Sequence, residues 1–394
     1  MLKSDRKTIL FIQALLILML TQLSTDIYLP SIPEMAKDLS SNLSTIKLSM
    51  TAMIFSLGAS QLISGALSDV YGRRKIALYG LLIFCCGSMV LILPTNSIIM
   101  IIGRLIQGIG LGFGLSFSSC VSGDLYKGKT LNIALSVISI AYAVMPVVAP
   151  LMGGFIQVHY NWKLSFVVLL IFGIACLMMI KISFIETNEN MSKRFSISGL
   201  YADYKACLGN VVYVRHLLLA ALIYAVEVSY IIQMPIIVQT QFNATPVFAA
   251  SLVFFTSLAI VVGSALSGVL LRIISPDRII RLSVVIALLF ILFWLFSVIV
   301  FSAKVFIMVV AMSGIMLSSG LIFPNAIAKC IELFQTKAGL SSSLAIGILT
   351  SIGGIITVFV SLLPPESTVA LPGLLLLLIF MMLGLAQYKK VKPS

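Results

Sequence analysis

Unbroken apolar runs recur from one end of the chain to the other, separated by short polar stretches. Crossing a hydrocarbon core of about 30 Å takes about 20 apolar residues of helix. Twelve runs meet that length, near 8–29, 48–67, 76–94, 98–120, 131–154, 162–184, 216–238, 246–270, 279–301, 304–327, 338–362 and 369–388. The runs are continuously apolar rather than alternating, which is the pattern of membrane helices and not of a barrel. An all-α membrane protein with twelve transmembrane helices is expected. The first run follows Lys3, Arg6 and Lys7 as a signal peptide would, but it is longer than a signal core and no small-residue cleavage site follows, so it is expected to stay as an uncleaved anchor.

The longest polar stretch, 185–215, divides the runs six and six. The expected organisation is therefore a six-helix bundle over 1–184, a linker over 185–215 and a second six-helix bundle over 216–394. A faint internal echo agrees: Gly65 and Gly268 end the second run of each half, and Pro150 precedes Gly353 by the same offset. Two such halves are a known transporter plan, with the binding site between them at mid-membrane.

Composition closes off the soluble alternatives. Of 394 residues 60% are apolar and 10% charged, against roughly 25% charged in an average soluble domain. The net charge of +13 does not signal nucleic acid, because the basic residues sit in small groups between the runs without a continuous basic face. With the N-terminus inside, nearly all of them gather on one side; only Lys37, Lys47, Lys163 and Lys304 fall on the other, and Arg104 lies within a run. This bias places both termini in the cytoplasm. None of the six cysteines falls in a segment placed outside, so disulfides are not expected.

An ionisable side chain inside a span costs about 2.5–3.5 kcal/mol on insertion scales, and three remain: Asp26, Arg104 and Glu227. Asp26 and Arg104 both lie roughly 6 to 9 Å below the outer end of their spans. They form either a buried structural ion pair or a proton site tuned by the arginine. Glu227 sits eleven residues into its run without an obvious partner, where a lone carboxyl is favoured as the neutral acid. It serves either transport or neutral, hydrogen-bonded packing. Tyr142, Tyr224, Tyr230, Gln233, Phe254, Phe255 and Asn325 offer aromatic faces and a few hydrogen bonds to a central cavity.

Other signals fail on context. Gly123–Thr130 matches the phosphate-loop pattern G-x-x-x-x-G-K-[ST], yet it joins two spans with no soluble α/β domain to complete a nucleotide site. The glycines at 108, 110, 112 and 114 lie mid-span, where glycine serves helix packing. His159 and His216 are far apart and no set of side chains has metal-ligand spacing, nor is there a nucleophile–base arrangement. Neither an enzyme nor a metal, nucleotide or other cofactor is expected.

The strongest linear signal is Gly65-Ala-Leu-Ser-Asp69-Val-Tyr-Gly72-Arg73-Arg74-Lys75, at the end of the second run. It resembles the loop between the second and third helices of the major facilitator superfamily. In that family the acidic residue contacts the start of the eleventh helix and the basic residues, holding the inner gate shut; a carboxylate is favoured at a helix N-terminus and beside arginine. Arg104-Leu-Ile-Gln107-Gly108-Ile-Gly110 resembles the family's arginine motif, linked to proton transfer. Pro146-Val-Val-Ala149-Pro150-Leu-Met-Gly153-Gly154 resembles its antiporter motif, which packs helix five closely on helix eight and kinks it, although Ala149 replaces the usual glycine. Small residues at matching spacing in the eighth run, Gly263 with Ser267 and Ser264 with Gly268, suit such an approach. The segments Thr25-Asp26-Ile-Tyr28-Leu-Pro30-Ser-Ile-Pro33, Phe323-Pro324-Asn325-Ala326 and Ala338-Gly339-Leu-Ser-Ser-Ser resemble the bicyclomycin and chloramphenicol resistance (Bcr/CflA) group of drug:proton antiporters.

The resemblance implies proton-coupled efflux of small amphipathic compounds by alternating access, in a monomer in the cytoplasmic (inner) membrane of a bacterium. It makes Arg104 a residue linked to proton transfer, Gly65, Asp69, Gly72, Arg73 and Arg74 the gate, and Pro146, Pro150, Gly153 and Gly154 the packing motif; with the buried carboxyls Asp26 and Glu227, Arg104 completes the candidate proton-coupling set. The alternatives are an importer of a metabolite or siderophore-like compound on the same fold and, from another class, a phosphate-loop pump, a channel or a membrane enzyme. The expected partners are a small-molecule substrate and the lipid bilayer, with no nucleic acid.

Overall fold

The computed structural model describes residues 4–93, 96–126, 128–188, 197–301, 304–334, 338–364 and 367–387; the side chain of Tyr142 lies outside the described residues, as does that of Lys129. All the regular structure among the described residues is helical. In chain order they form α1 (Ser4–Asp26), a 3-10 turn (Leu29–Ser31), α2 (Ile32–Asp38), α3 (Leu43–Tyr71), α4 (Arg73–Ile92), α5 (Ser97–Leu125), α6 (Gly128–His159) and α7 (Lys163–Ser183). After these come α8 (Ile197–Leu208), α9 (Val211–Gln241), α10 (Pro246–Leu270), α11 (Pro276–Phe301), α12 (Val305–Glu332), α13 (Ala338–Leu362) and α14 (Ala370–Gln387).

Eleven described helical stretches are long and apolar enough to cross a bilayer, and α6 contributes a shorter apolar stretch, Val144–His159. Local chemistry sets their ends. Asn42, Asn96 and Asn210 accept from backbone N–H groups at the starts of α3, α5 and α9, and Thr245 does so for α10. At the other end of the scale of polarity, Arg215 donates to the carbonyls of Leu385 (2.8 Å) and Ala386 (3.0 Å), closing the last turn of α14. These groups satisfy donors and acceptors that a helix end leaves open. Two short helices, α2 and α8, lie outside the twelve runs.

Helices α1 and α3–α7 pack mainly on one another, as do α9–α14, and the two sets meet along α3 with α13 and α6 with α10. Ile171, Ile182, Leu289, Ile299 and Phe306 stay more than half exposed on the outside. That is the surface a lipid-facing helix presents. The seam between α3 and α13 is antiparallel and close. A Cβ on Gly58 would stand 2.6 Å from the Ser351 backbone nitrogen, and one on Gly354 would stand 2.8 Å from that of Phe55. Small residues here let two backbones approach, as they do in membrane interfaces generally.

Candidate functional site: a cavity between the two sets of helices

Near the middle of this seam lies a cavity of about 60 Å³, lined by Gln22, Thr25 and Asp26 of α1, Met50, Ile54 and Leu57 of α3, Pro146 of α6, Tyr224, Glu227, Val228 and Ile231 of α9, and Thr350 of α13. Both carboxyl residues of the apolar runs therefore line one space, Asp26 from the first set of helices and Glu227 from the second. A volume of this size holds a few water molecules, whereas a pocket for a drug-sized ligand takes about 300–1,000 Å³. The cavity is contracted.

Asp26 is buried and Glu227 half-buried. Glu227, for which the sequence offers no obvious partner, accepts a hydrogen bond from the Ser319 hydroxyl of α12. The expected contact between Asp26 and Arg104 does not form: no ion pair joins them among the described residues. Arg104 is fully buried and gives Nη1 to the Ser24 carbonyl (3.1 Å) and to Gln107 Oε1 (3.0 Å). Its guanidinium carbon lies 3.5 Å from the Tyr28 ring centroid and 4.7 Å from that of Phe166. Helical geometry explains the separation. Residues 24 and 26 are about 200° apart around a helix, so the end of α1 that offers a carbonyl to Arg104 turns the Asp26 carboxyl toward the cavity. Two π faces then supply what a counter-ion would otherwise provide.

Of the side chains expected around a central cavity, Tyr224 lines it, and Tyr142 lies outside the described residues. The others are occupied elsewhere. Tyr230 bonds the Thr256 hydroxyl (2.9 Å), Asn325 donates to Ser267 Oγ (2.7 Å), and Phe254 packs edge-on against Phe255, which is exposed. Gln233 accepts from Lys47 (3.2 Å). Tyr230, Asn325 and Gln233 each face a neighbouring helix that periodicity along the sequence does not reveal.

The packing motif divides its work differently from the expectation. Gly153 abuts the backbone of Ile27, and Gly154 faces the Pro246 carbonyl and Val247, so α6 does meet α10, at the start of that helix. Gly263 and Ser264 of α10 turn away to α12, where the Ser264 hydroxyl donates to the Gly320 carbonyl (3.3 Å), and among the described residues a Cβ on Gly268 would meet no neighbour within 4 Å. Helix α6 runs through Pro146 and Pro150 without a break.

The gate segment forms a charged hub at the far end of α3. Gly65 packs on Ser343 of α13, and Gly72 has φ 92°, a conformation that favours glycine. Arg73 pairs with Asp69 (2.5 Å) and with Asp124 (3.2 Å), whose Oδ2 also accepts from the Thr187 hydroxyl (2.9 Å). The Glu186 carboxylate accepts from the backbone N–H groups of Arg73 (2.9 Å) and Arg74 (3.1 Å), capping α4. Arg74 Nη2 donates to the Lys181 carbonyl (2.6 Å). Sequence reasoning passed over Asp124 and Glu186. Asp124 was hidden in the phosphate-loop match, whose Gly123–Leu125 segment is the last turn of α5. At this same end the Tyr204 hydroxyl of α8 donates to the Leu62 carbonyl of α3 (2.5 Å). Burial pushes that phenol up to about 12, so it stays protonated and donating at ordinary pH.

A larger groove, about 300 Å³, is lined by Leu208, Val211, Val214, Arg215, Leu218 and Leu385. It holds no carboxyl, and Arg215, besides its bonds to α14, pairs with Asp277 (3.2 Å). The central cavity is the better candidate because polar groups from both sets of helices converge on it.

The family description "Major Facilitator Superfamily" matches residues 14–358. Among curated proteins, the chain is 31% identical over 170 residues to multidrug resistance protein D of Escherichia coli (strain K12), covering 43% of each chain. It is 28% identical over 194 residues to a bicyclomycin resistance protein homolog of Haemophilus influenzae, covering 49% of this chain and 48% of the relative. The matched stretch thus spans just under half the length of these relatives. A crystal structure of the peptide transporter POT in complex with sulfate superposes with TM-score 0.76 over 97% of this chain and 94% of that one, at 14% identity, a likeness of fold.

Proposed function

We propose, for a chain that belongs to the Major Facilitator Superfamily, that this multi-pass membrane transporter exports small amphipathic compounds in exchange for protons. One observation carries the proposal: Asp26 and Glu227, from opposite sets of helices, line the same cavity. A cavity whose walls belong to two bodies changes shape and solvent access when the bodies rock against each other. Carboxyls in those walls gain or lose protons as that access changes.

In this proposal six helices on either side of residues 185–215 form the two bundles, twelve in all. The Lys and Arg bias sets both termini in the cytoplasm of a bacterium, whose inner membrane holds the protein. The Asp69 end then faces inward and the Trp162 end outward. Protons enter the cavity from outside and bind Asp26, with Glu227 as a second site. On the inner side, substrate binding displaces them. Arg104, held by Tyr28 and Phe166, fixes the end of α1 and so the position of Asp26. One proton moving through 100 mV releases about 2.3 kcal/mol, enough for a roughly 50-fold gradient of a neutral compound. The protons are the only coupling species required.

Relatives named for resistance to several drugs and to bicyclomycin support efflux over import. The test is efflux of a fluorescent amphipathic compound, driven by an imposed pH gradient in proteoliposomes. Asp26→Asn is expected to abolish gradient-driven transport while downhill exchange persists. Transport that stays gradient-driven in both Asp26→Asn and Glu227→Gln contradicts the assignment.

A further inference from the structure

Lys47 is one of the few basic residues that the charge pattern places on the outer side, as a topology residue. In the structure it is buried, with 1% of its surface exposed. Its ammonium reaches across the seam between the two sets of helices. Nζ donates to Gln233 Oε1 of α9 (3.2 Å), to the Val360 carbonyl (3.1 Å) and to the Leu363 carbonyl (3.1 Å). An ammonium has three donors, and all three are used on the opposite set. The two carbonyls lie at the C-terminal end of α13, where the helix dipole is negative; the Val360 carbonyl takes the Leu363 N–H (3.2 Å) and has a second lone pair for the ammonium. Pro364 supplies no N–H to Val360.

The position matters as much as the bonding. Met50, one turn along α3 from Lys47, lines the cavity, and so does Ile231, two residues before Gln233. Lys47 therefore lies over the cavity on its Trp162 side. Thr51 and Thr357 bond beside it across the same seam (2.8 Å), and Gln239 of α9 donates to the Pro30 carbonyl (2.9 Å), tying the sets together further out.

We propose that Lys47 is the latch of the outer gate: its three bonds to α9 and α13 hold the cavity shut toward the Trp162 end, and they break each time that end opens. A buried ammonium stripped of partners is strongly disfavoured. Opening is therefore tied to rehydration of Lys47, and a half-open seam is avoided. The inner and outer labels rest on the transport proposal above; the latch itself rests on the bonding.

Pulsed electron paramagnetic resonance tests it, with spin labels at Tyr160→Cys and Phe306→Cys, exposed positions at the Trp162 end of each set, in a Cys86→Ser background without added compound. Lys47→Met keeps the unbranched apolar stem and removes the charged head. It is expected to turn a long-distance population from a minor one, below about 10%, into the main one. Gln233→Glu, which gives the lysine a carboxylate, is expected to remove the long population and to slow transport. Unchanged distances in both variants overturn the latch. Should Lys47→Met fail to fold, Gln233→Leu, which deletes one acceptor, must still lengthen the distances. This readout involves no proton or substrate, so the latch and the exchange proposal fail separately.

Discussion

At the scale of single residues, the charges buried in the apolar runs were readable because a charge inside a run of twenty apolar residues stands out in one dimension. Asp26, Arg104 and Glu227 are found that way. Their partners are not, since a partner depends on the rotation of neighbouring helices. Ser319 under Glu227, the Tyr28 and Phe166 rings around Arg104, and Gln233 below Lys47 are all separated from their counterparts by long stretches of chain. Arg104 illustrates the consequence. Its planar guanidinium lies against two rings and bonds the Ser24 carbonyl, a set of contacts that a lysine's compact ammonium does not reproduce. Arg104→Lys is expected to keep the charge, lower the unfolding temperature and weaken coupling by displacing the end of α1, with each cation–π contact worth about 0.5–2 kcal/mol. Thermal unfolding alongside the pH-gradient efflux assay checks this. An unchanged melting temperature with normal coupling would show that the rings are incidental.

At the scale of elements, the spans were legible to within about five residues: runs 246–270 and 338–362 coincide with α10 (Pro246–Leu270) and α13 (Ala338–Leu362), whereas run 48–67 stops short of α3 (Leu43–Tyr71) at both ends. Hydrophobic length alone fixes such helices. The two short helices were not legible. α2 has seven residues and starts beside a proline, and α8 lies in the polar stretch with Tyr201 exposed and Cys207 buried. What sets the distance between α3 and α13 is a row of glycines that no hydrophobicity profile ranks. Gly58→Leu is expected to force these helices apart, because its Cβ would meet the Ser351 backbone nitrogen (2.6 Å) and the Gly347 carbonyl (2.9 Å) as well as the Ser351 hydroxyl, and the backbone atoms cannot rotate away. The check is oxidative cross-linking of a Thr51→Cys, Thr357→Cys pair, whose native hydroxyls are 2.8 Å apart. Efficient disulfide formation is expected in the parent and at least a tenfold slower rate, about 1.4 kcal/mol, with Gly58→Leu added. Equal rates would mean that the seam does not depend on the glycine.

At the scale of the whole molecule, the cavity lies between the two sets of helices and the charged hub lies within the first set, at the far end of α3, and they are expected to fail in different ways. Asp69 is 54% exposed on its side chain and does not line the cavity. Asp69→Asn is expected to slow turnover while leaving compound affinity largely unchanged, as transport and binding measured on the same preparation will show. A matched loss of both would place the hub in the binding site. The central claim is that one cavity between two bundles carries either protons or compound. Proton release from purified protein into weakly buffered solution, on addition of a transported amphipathic compound, tests it most directly. Release is expected from the parent, reduced release from Asp26→Asn or Glu227→Gln, and none from the double variant; undiminished release from the double variant would contradict the account.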